Sequence, residues 1–246
     1  MQYDHIVSLD SKRRRTMRVM AVVAVMAYVI ALAAPGSPAA DAQQPQPWRC
    51  PIELSDEWVL AYYDDFSGQA LSPRWRATAG AASVKDGQLV LSTEKEQAEV
   101  VLEKPRFESP GLRMEFDAHV PQGTKASDLS VFINSDWSPE GKTGGCEGSY
   151  LFQFGGMLNT RNQLRRTGEI VDATVTTQPL IQPGVIYHVT VENDCGRVRM
   201  DVDGTTLLKW DDQKPLWGRD QSAVGFYTWE STIVIDNLKV YHRVPK

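Results

Sequence analysis

The chain has 246 residues and is acidic, with 26 Lys and Arg against 31 Asp and Glu and a formal net charge of −5. Beyond an N-terminal cluster no basic stripe runs through it, which argues against nucleic acid and anionic membrane as partners and favours a neutral or weakly charged ligand. Four His and three Cys in no zinc-type spacing exclude a zinc site.

At the N-terminus Lys12-Arg13-Arg14-Arg15 precede an apolar run from Val19 to Ala34, and Ala40-Asp41-Ala42 offers a small-residue cleavage site. The pattern predicts a secretory signal peptide over residues 1–42. A membrane anchor is the alternative, but the run is shorter than the ~20 apolar residues a spanning helix needs. The leader carries five basic and three acidic residues, so its removal takes the net charge from −5 to −7. The mature chain is then expected to be secreted, periplasmic or in the cell envelope, without stable membrane insertion. Residues 43–57 are rich in Pro and Gln and read as a linker or N-terminal strap. Residues 58–246 read as one domain, since about 200 residues suit a single large all-β unit.

Within it, short β-type runs follow one another between turn residues. They are Trp58 to Phe66, Gly87 to Ser92, Ala98 to Leu102, Gly111 to Val120, Asp128 to Asn134 and Ser149 to Phe154, then Val185 to Glu192, Arg197 to Val202, Ala223 to Trp229 and Thr232 to Tyr241. In the fourth run Leu112, Met114, Phe116, Ala118 and Val120 share one face, with Arg113, Glu115, Asp117 and His119 on the other. The acids on that face predict a His119 that favours its protonated form. Tight turns are expected at Asn193-Asp194-Cys195-Gly196 and Val202-Asp203-Gly204-Thr205. No amphipathic helix follows the leader, so the pattern predicts an antiparallel β-sandwich or barrel.

Three cysteines remain after the leader, and an odd number in an exported chain leaves one thiol over or pairs two chains. Cys146 lies in Gly144-Gly145-Cys146 and Cys195 lies beside Gly196 in a hairpin turn. The glycines permit close backbone approach, which predicts a Cys146–Cys195 bridge with Cys50 free.

The order of several segments resembles glycoside hydrolase family 16, in the concanavalin A-like lectin/glucanase superfamily. Asp64-Asp65-Phe66-Ser67-Gly68 with Trp75, and Val84 through Leu91, look like that family's opening segments. Gly111 through Gly123, Tyr187-His188 through Asp203-Gly204, and Ile233 through Tyr241 look like its later ones. The resemblance implies a jelly-roll sandwich of two antiparallel sheets, and a structural Ca²⁺ held by Asp65, Gly87 and Asp236. The catalytic strand departs from the family. There, Glu-x-Asp-x-x-Glu supplies the two carboxyls that a retaining mechanism holds roughly 5–5.5 Å apart. Here the register ending at Gly155-Gly156 places Gly148, Tyr150 and Gln153 at those positions, so ordinary endo-β-glucanase activity is not expected. A looser resemblance links Gly111 to Phe116 and Tyr150-Leu151-Phe152-Gln153 to the 3-keto-disaccharide hydrolase family. That family has a Gln in the comparable strand, and Leu151 stands where its motif has Glu.

Sugars present flat apolar faces that stack on aromatic rings, while amides and guanidinium groups bond their hydroxyls. Trp137, Tyr150, Tyr227 and Trp229 are therefore candidate stacking residues, with Gln153, Asn159 and Arg161 as polar partners. Core packing is the competing reading of each Trp. Glu147, Glu169 and Glu230 are free-standing acids that could support a different acid pair, and His188 reads as a structural hydrogen-bonding residue. The expectation is an exported carbohydrate-recognising jelly roll. A glycoside-processing enzyme and a structural or adhesion module that binds protein are the alternatives.

Overall fold

The computed structural model describes residue 50 and residues 52–141 and 145–246. The expected signal peptide over residues 1–42 therefore lies outside the described residues, as do residues 43–49 and 51. Fifteen strands are present among the described residues, in two antiparallel sheets. The first sheet contains β1 (Val59–Asp64), β3 (Ala81–Lys85), β4 (Gln88–Ser92), β6 (Gly111–His119), β11 (Tyr187–Asp194), β12 (Arg197–Val202), β13 (Thr205–Asp211) and β15 (Thr232–His242). Its order is β13-β12-β11-β6-β15-β4-β3, with β1 also paired to β15. The second sheet contains β2 (Trp75–Ala79), β5 (Gln97–Leu102), β7 (Leu129–Ser135), β8 (Tyr150–Gly155), β9 (Arg161–Arg166), β10 (Glu169–Ile170) and β14 (Ala223–Trp229). Its order is β10-β9-β8-β7-β14-β5-β2. The only helical pieces among these residues are α1 (Gly156–Asn159) and a 3₁₀ turn at Asp172–Thr174. The fold is the concanavalin-like jelly roll, and no described helix is long and apolar enough to cross a membrane.

Alternation builds the core. Leu112, Met114, Phe116 and Ala118 of β6 are buried, while Arg113, Glu115, Asp117 and His119 are half-buried on the outer face. From the facing sheet Phe226 meets Phe116 edge-on at 5.0 Å between ring centroids and stacks on Trp75 at 6.0 Å. Each such ring contributes about 1.5–3 kcal/mol by leaving water. The opening Asp-Asp-Phe segment has a structural reason as well. Asp64 accepts hydrogen bonds from Tyr62 Oη (2.7 Å), Trp75 Nε1 (2.9 Å) and the Phe66 amide (2.9 Å), which pins Trp75 at the mouth of the core.

Several strands are absent from the sequence reading. β2, β3, β10 and β13 are short or carry exposed residues, and β9 is largely polar, so their apolar alternation is faint. His119 also departs from expectation: burial desolvates its ring and lowers its pKa. His188 lies as read, its Nδ1 2.9 Å from Asp117 Oδ1.

The bridge prediction is overturned. Cys50 is joined to Cys195, and Cys146 is a buried free thiol. The bridge ties the segment before β1 to the β11–β12 turn. That segment is a strap: the Ser55 amide donates to Val244 O, and Leu54 pairs with Pro245. Non-reducing peptide mapping should recover the Cys50 and Cys195 peptides joined, with Cys146 alkylated only after denaturation. A Cys146–Cys195 peptide would reverse the assignment.

Candidate functional site

The outward face of the second sheet is divided in two. The β7–β8 loop folds back over one half. There Val101, Phe132, Leu151, Ala223 and Tyr227 of the sheet meet Trp137 and Cys146 of the loop in a second apolar cluster. Glu99 fastens this loop. Fully buried on β5, it accepts the Gly145 amide at 2.8 Å, the Cys146 amide at 3.0 Å and Thr78 Oγ1 at 2.5 Å. Two glycines make the approach possible. A Cβ at Gly145 would meet the Phe132 ring at 2.8 Å, and one at Gly148 would meet the Asp136 carboxylate at 1.7 Å. The glycines around Cys146 therefore serve loop-on-sheet packing rather than a disulfide.

The other half of the face is an open groove with a cavity of about 460 Å³. Its floor is polar. Gln163 Nε2 on β9 donates to Gln153 Oε1 on β8 at 2.6 Å, and Gln153 Nε2 donates to Asp128 Oδ2 at 2.8 Å. All three side chains are buried, with Asp128 only 3% exposed. Among the described residues, no group meets Asp128 Oδ1, Gln163 Oε1 or the neighbouring Ser130 hydroxyl. Buried polar atoms are nearly always paired, so the two unpaired oxygens of groove-lining Asp128 and Gln163 leave acceptor capacity that a ligand can fill. Burial pushes the Asp128 carboxyl up to about 7, against the opposing pull of the Gln153 amide and the Arg165 charge. This carboxyl can therefore both donate and accept a proton near neutral pH.

Glu147 enters from the loop, Arg165 from β9, and Tyr227 and Trp229 from β14, with Gln97 at the β5 end. Arg165 is oriented by its own hydrogen bonds to Gly168 O, the Nε one at 2.9 Å. Tyr227 is buried, and its hydroxyl titrates above the usual range because of burial first and the Asp128 charge second. Trp229 is 36% exposed. Met157 and Leu158 complete the rim.

The structure thus brings Glu147, Gln153, Tyr227 and Trp229 together and separates the other candidates from them. Tyr150 is a correction. It lies in the core between the sheets, where its hydroxyl donates to Asp212 Oδ2 (2.6 Å) and accepts the Leu216 amide (2.9 Å). Three positions separate Tyr150 from Gln153, so a period of two must send them to opposite faces. Trp137 packs from the loop onto the sheet, with Arg106 5.2 Å and Arg76 5.8 Å from its ring centroid. Asn159 is engaged with Ile181, and Arg161 lies outside the groove lining. Glu169 is exposed on β10, away from the groove, and exposed Glu230 pairs with Lys125 at 2.6 Å. Asp128 was missed because it reads as the polar start of a strand. Its parity with Ser130 places it on the face of Gln153, which was the available signal.

Register places the proposed calcium residues at one end of the first sheet, with β1 and β4 both paired to β15. The acids there are engaged by amide donors. Gln88 Nε2 donates to Asp236 Oδ2 (3.2 Å) and the Asn237 amide to Asp236 Oδ1 (2.7 Å). Asp65 Oδ1 accepts the Ser67 amide at 3.1 Å.

Residues 60–241 match the family model of the 3-keto-alpha-glucoside-1,2-lyase-like domain. No curated protein matches the chain in sequence. Among solved structures it is similar to a Bacillus subtilis protein of unknown function with a galectin-like fold (TM-score 0.57, 16% identity, 77% of this chain and 100% of that one). It is also similar to the Bacillus subtilis carbohydrate binding module CBM66 (TM-score 0.51, 13% identity, 68% and 94%). A third is the catalytic domain of an endo-1,3-beta-glucanase from Thermotoga petrophila (TM-score 0.53, 16% identity, 76% and 98%). At these identities the likeness is one of fold.

Proposed function

Because the chain belongs to the 3-keto-alpha-glucoside-1,2-lyase-like domain family, we propose that its groove is a carbohydrate-binding site. The observation that carries this reading is the floor of Asp128, Gln153 and Gln163, whose unpaired buried oxygens lie beside a partly exposed Trp229. Sugar hydroxyls would donate to those oxygens while a pyranose face stacks on the indole. Arg165 supplies N–H donors for ring or glycosidic oxygens. Export belongs to the same proposal and is supported by the Cys50–Cys195 bridge, which suits an oxidising compartment.

The test pairs a glycan array and calorimetry with thermal melts on Trp229→Ala. Loss of a stacked aromatic costs about 1 kcal/mol or more beyond area, so affinity should fall roughly tenfold. The melting temperature should barely move, since the ring is partly exposed and lies outside the core. A lower melting temperature with unchanged affinity would assign Trp229 to packing instead.

A second reading, sugar processing, is favoured by Asp128 itself. In a 1,2-elimination from a 3-ketoglucoside, a base takes the C2 proton, which the ketone acidifies. The C1–O bond then breaks and the departing oxygen takes up a proton. An ionised Asp128 on the groove floor would be the base. Leu151 is buried in the apolar cluster and offers no charge, so Glu147 is the second carboxyl available at the groove. Incubation with 3-keto-α-glucosides should then release aglycone from the native protein and not from Asp128→Asn.

A further inference from the structure

The β8–β9 connection adopts a costly conformation. Gly155, Met157, Leu158 and Asn159 all have positive φ (74°, 54°, 59° and 58°), so α1 is a left-handed turn. A left-handed helix brings the Cβ of an L-residue too close to the following carbonyl oxygen, and only Gly, Asn and Asp visit it routinely. Met and Leu are poor choices for such a turn, where Gly or Asn would be the ordinary occupants.

The surroundings enforce the conformation. The Asn159 side chain accepts the Ile181 amide (3.0 Å) and donates to Ile181 O (2.9 Å). Thr160 Oγ1 donates to Met157 O (2.8 Å), and the Gly155 amide donates to Asn162 Oδ1 (2.9 Å). The result is two large apolar side chains held in solvent, Met157 at 57% and Leu158 at 48% exposed. Neither belongs to the core, yet both line the groove whose rim also carries Trp229.

The groove is therefore amphipathic, with a polar floor that leaves acceptor oxygens unpaired and an apolar lip built at the expense of backbone strain. A sugar alone can satisfy the floor, but it leaves Met157 and Leu158 against water. We propose that the ligand is a glycoside whose sugar sits on the Asp128–Gln153–Gln163 floor and beside Trp229, and whose apolar, ring-sized aglycone lies against Met157 and Leu158. This rests on the carbohydrate reading and narrows it from glycans in general to glycosides with an apolar substituent. A thioether is suited to the task, since it makes favourable contacts with aromatic rings.

The test uses matched pairs, phenyl and methyl glycosides of glucose, galactose and mannose in both anomers, titrated calorimetrically into the whole mature protein. A double variant, Met157→Asn with Leu158→Asn, removes the apolar lip while asparagine tolerates positive φ, and thermal melts verify that it folds. The native protein should bind the phenyl member of a pair at least tenfold more tightly. The variant should bind both members within about twofold of each other. Sugar binding indifferent to the aryl group, or an aryl preference that survives in the variant, overturns the proposal and leaves the carbohydrate reading standing. Absence of binding by every glycoside overturns both. Self-association of the native protein that the variant loses, seen in sedimentation, makes the lip a protein contact and overturns the proposal.

Discussion

Glu99→Ala is expected to lower the melting temperature by roughly 6–20 °C and to release the loop that roofs half of the outward face of the second sheet. The side chain is fully buried and accepts the Gly145 and Cys146 amides together with Thr78 Oγ1. Alanine leaves two buried N–H groups unpaired, at about 1–3 kcal/mol each. It also opens a cavity beneath the loop, so a total of about 3–5 kcal/mol is reasonable. A domain of this size moves about 2–4 °C per kcal/mol. A chemical readout accompanies the thermal one. In the native protein the Cys146 thiol is buried, and burial first and the Glu99 charge second hold its pKa far above the usual range. Released from Glu99, the loop should expose that thiol, and its labelling by a maleimide should accelerate at least tenfold. Glu99→Gln keeps one acceptor but turns an amide N–H toward a backbone N–H, so it should fall between the two. An unchanged melt and slow labelling in Glu99→Ala would mean that the apolar cluster alone holds the loop.

Glu99 also shows what kind of information the sequence carried. The strand β5 was legible from Ala98 to Leu102, but nothing in that run distinguishes a buried Glu with three donors from an exposed one. The donors come from residues 46 and 47 positions away and 21 positions back. The jelly roll itself was legible because alternation in β6, β11 and β15 survives wherever one face meets solvent. In β8 every residue from Tyr150 to Gly155 is buried, because the loop and the groove walls cover the outer face as the core covers the inner one. The burial pattern there is uniform, so polarity could not sort the faces, and Tyr150 was placed with Gln153. Parity alone would have separated them. The cysteine error has a similar origin. Glycine beside Cys146 signals close backbone approach, but the neighbour approached is the Phe132 ring rather than another sulfur. The groove residues Gln163 and Arg165 escaped because β9 is a polar strand, whose buried Asn162 is satisfied by backbone and threonine partners rather than by apolar packing.

Asp128→Asn should make the protein more stable above neutral pH and remove a downward slope in its pH–stability curve. Burial raises the Asp128 carboxyl to about 7 in the folded state, against about 3.9 in an unfolded chain. Between those two values the folded protein holds a proton that the unfolded chain has released. Stability therefore falls as pH rises from about 4 to about 7, and the full cost is present above 7. Three units correspond to roughly 4 kcal/mol, the expense of ionising a carboxyl that is 3% exposed and bonded by one amide. Asparagine can accept the Gln153 N–H with its own oxygen and never ionises, so it should recover a few kcal/mol at pH 8 and nothing at pH 4. Denaturant melts of both proteins at pH 4, 6 and 8 measure this directly, and parallel curves would mean that Asp128 titrates like an exposed acid. The same variant also distinguishes the two functional readings. If the floor only binds sugar, the substituted amide keeps an acceptor and a donor there, and affinity at pH 8 should stay within a few-fold of native. If Asp128 removes a proton from the sugar, turnover should disappear while binding persists, because an amide has the shape of the carboxylate without its basicity.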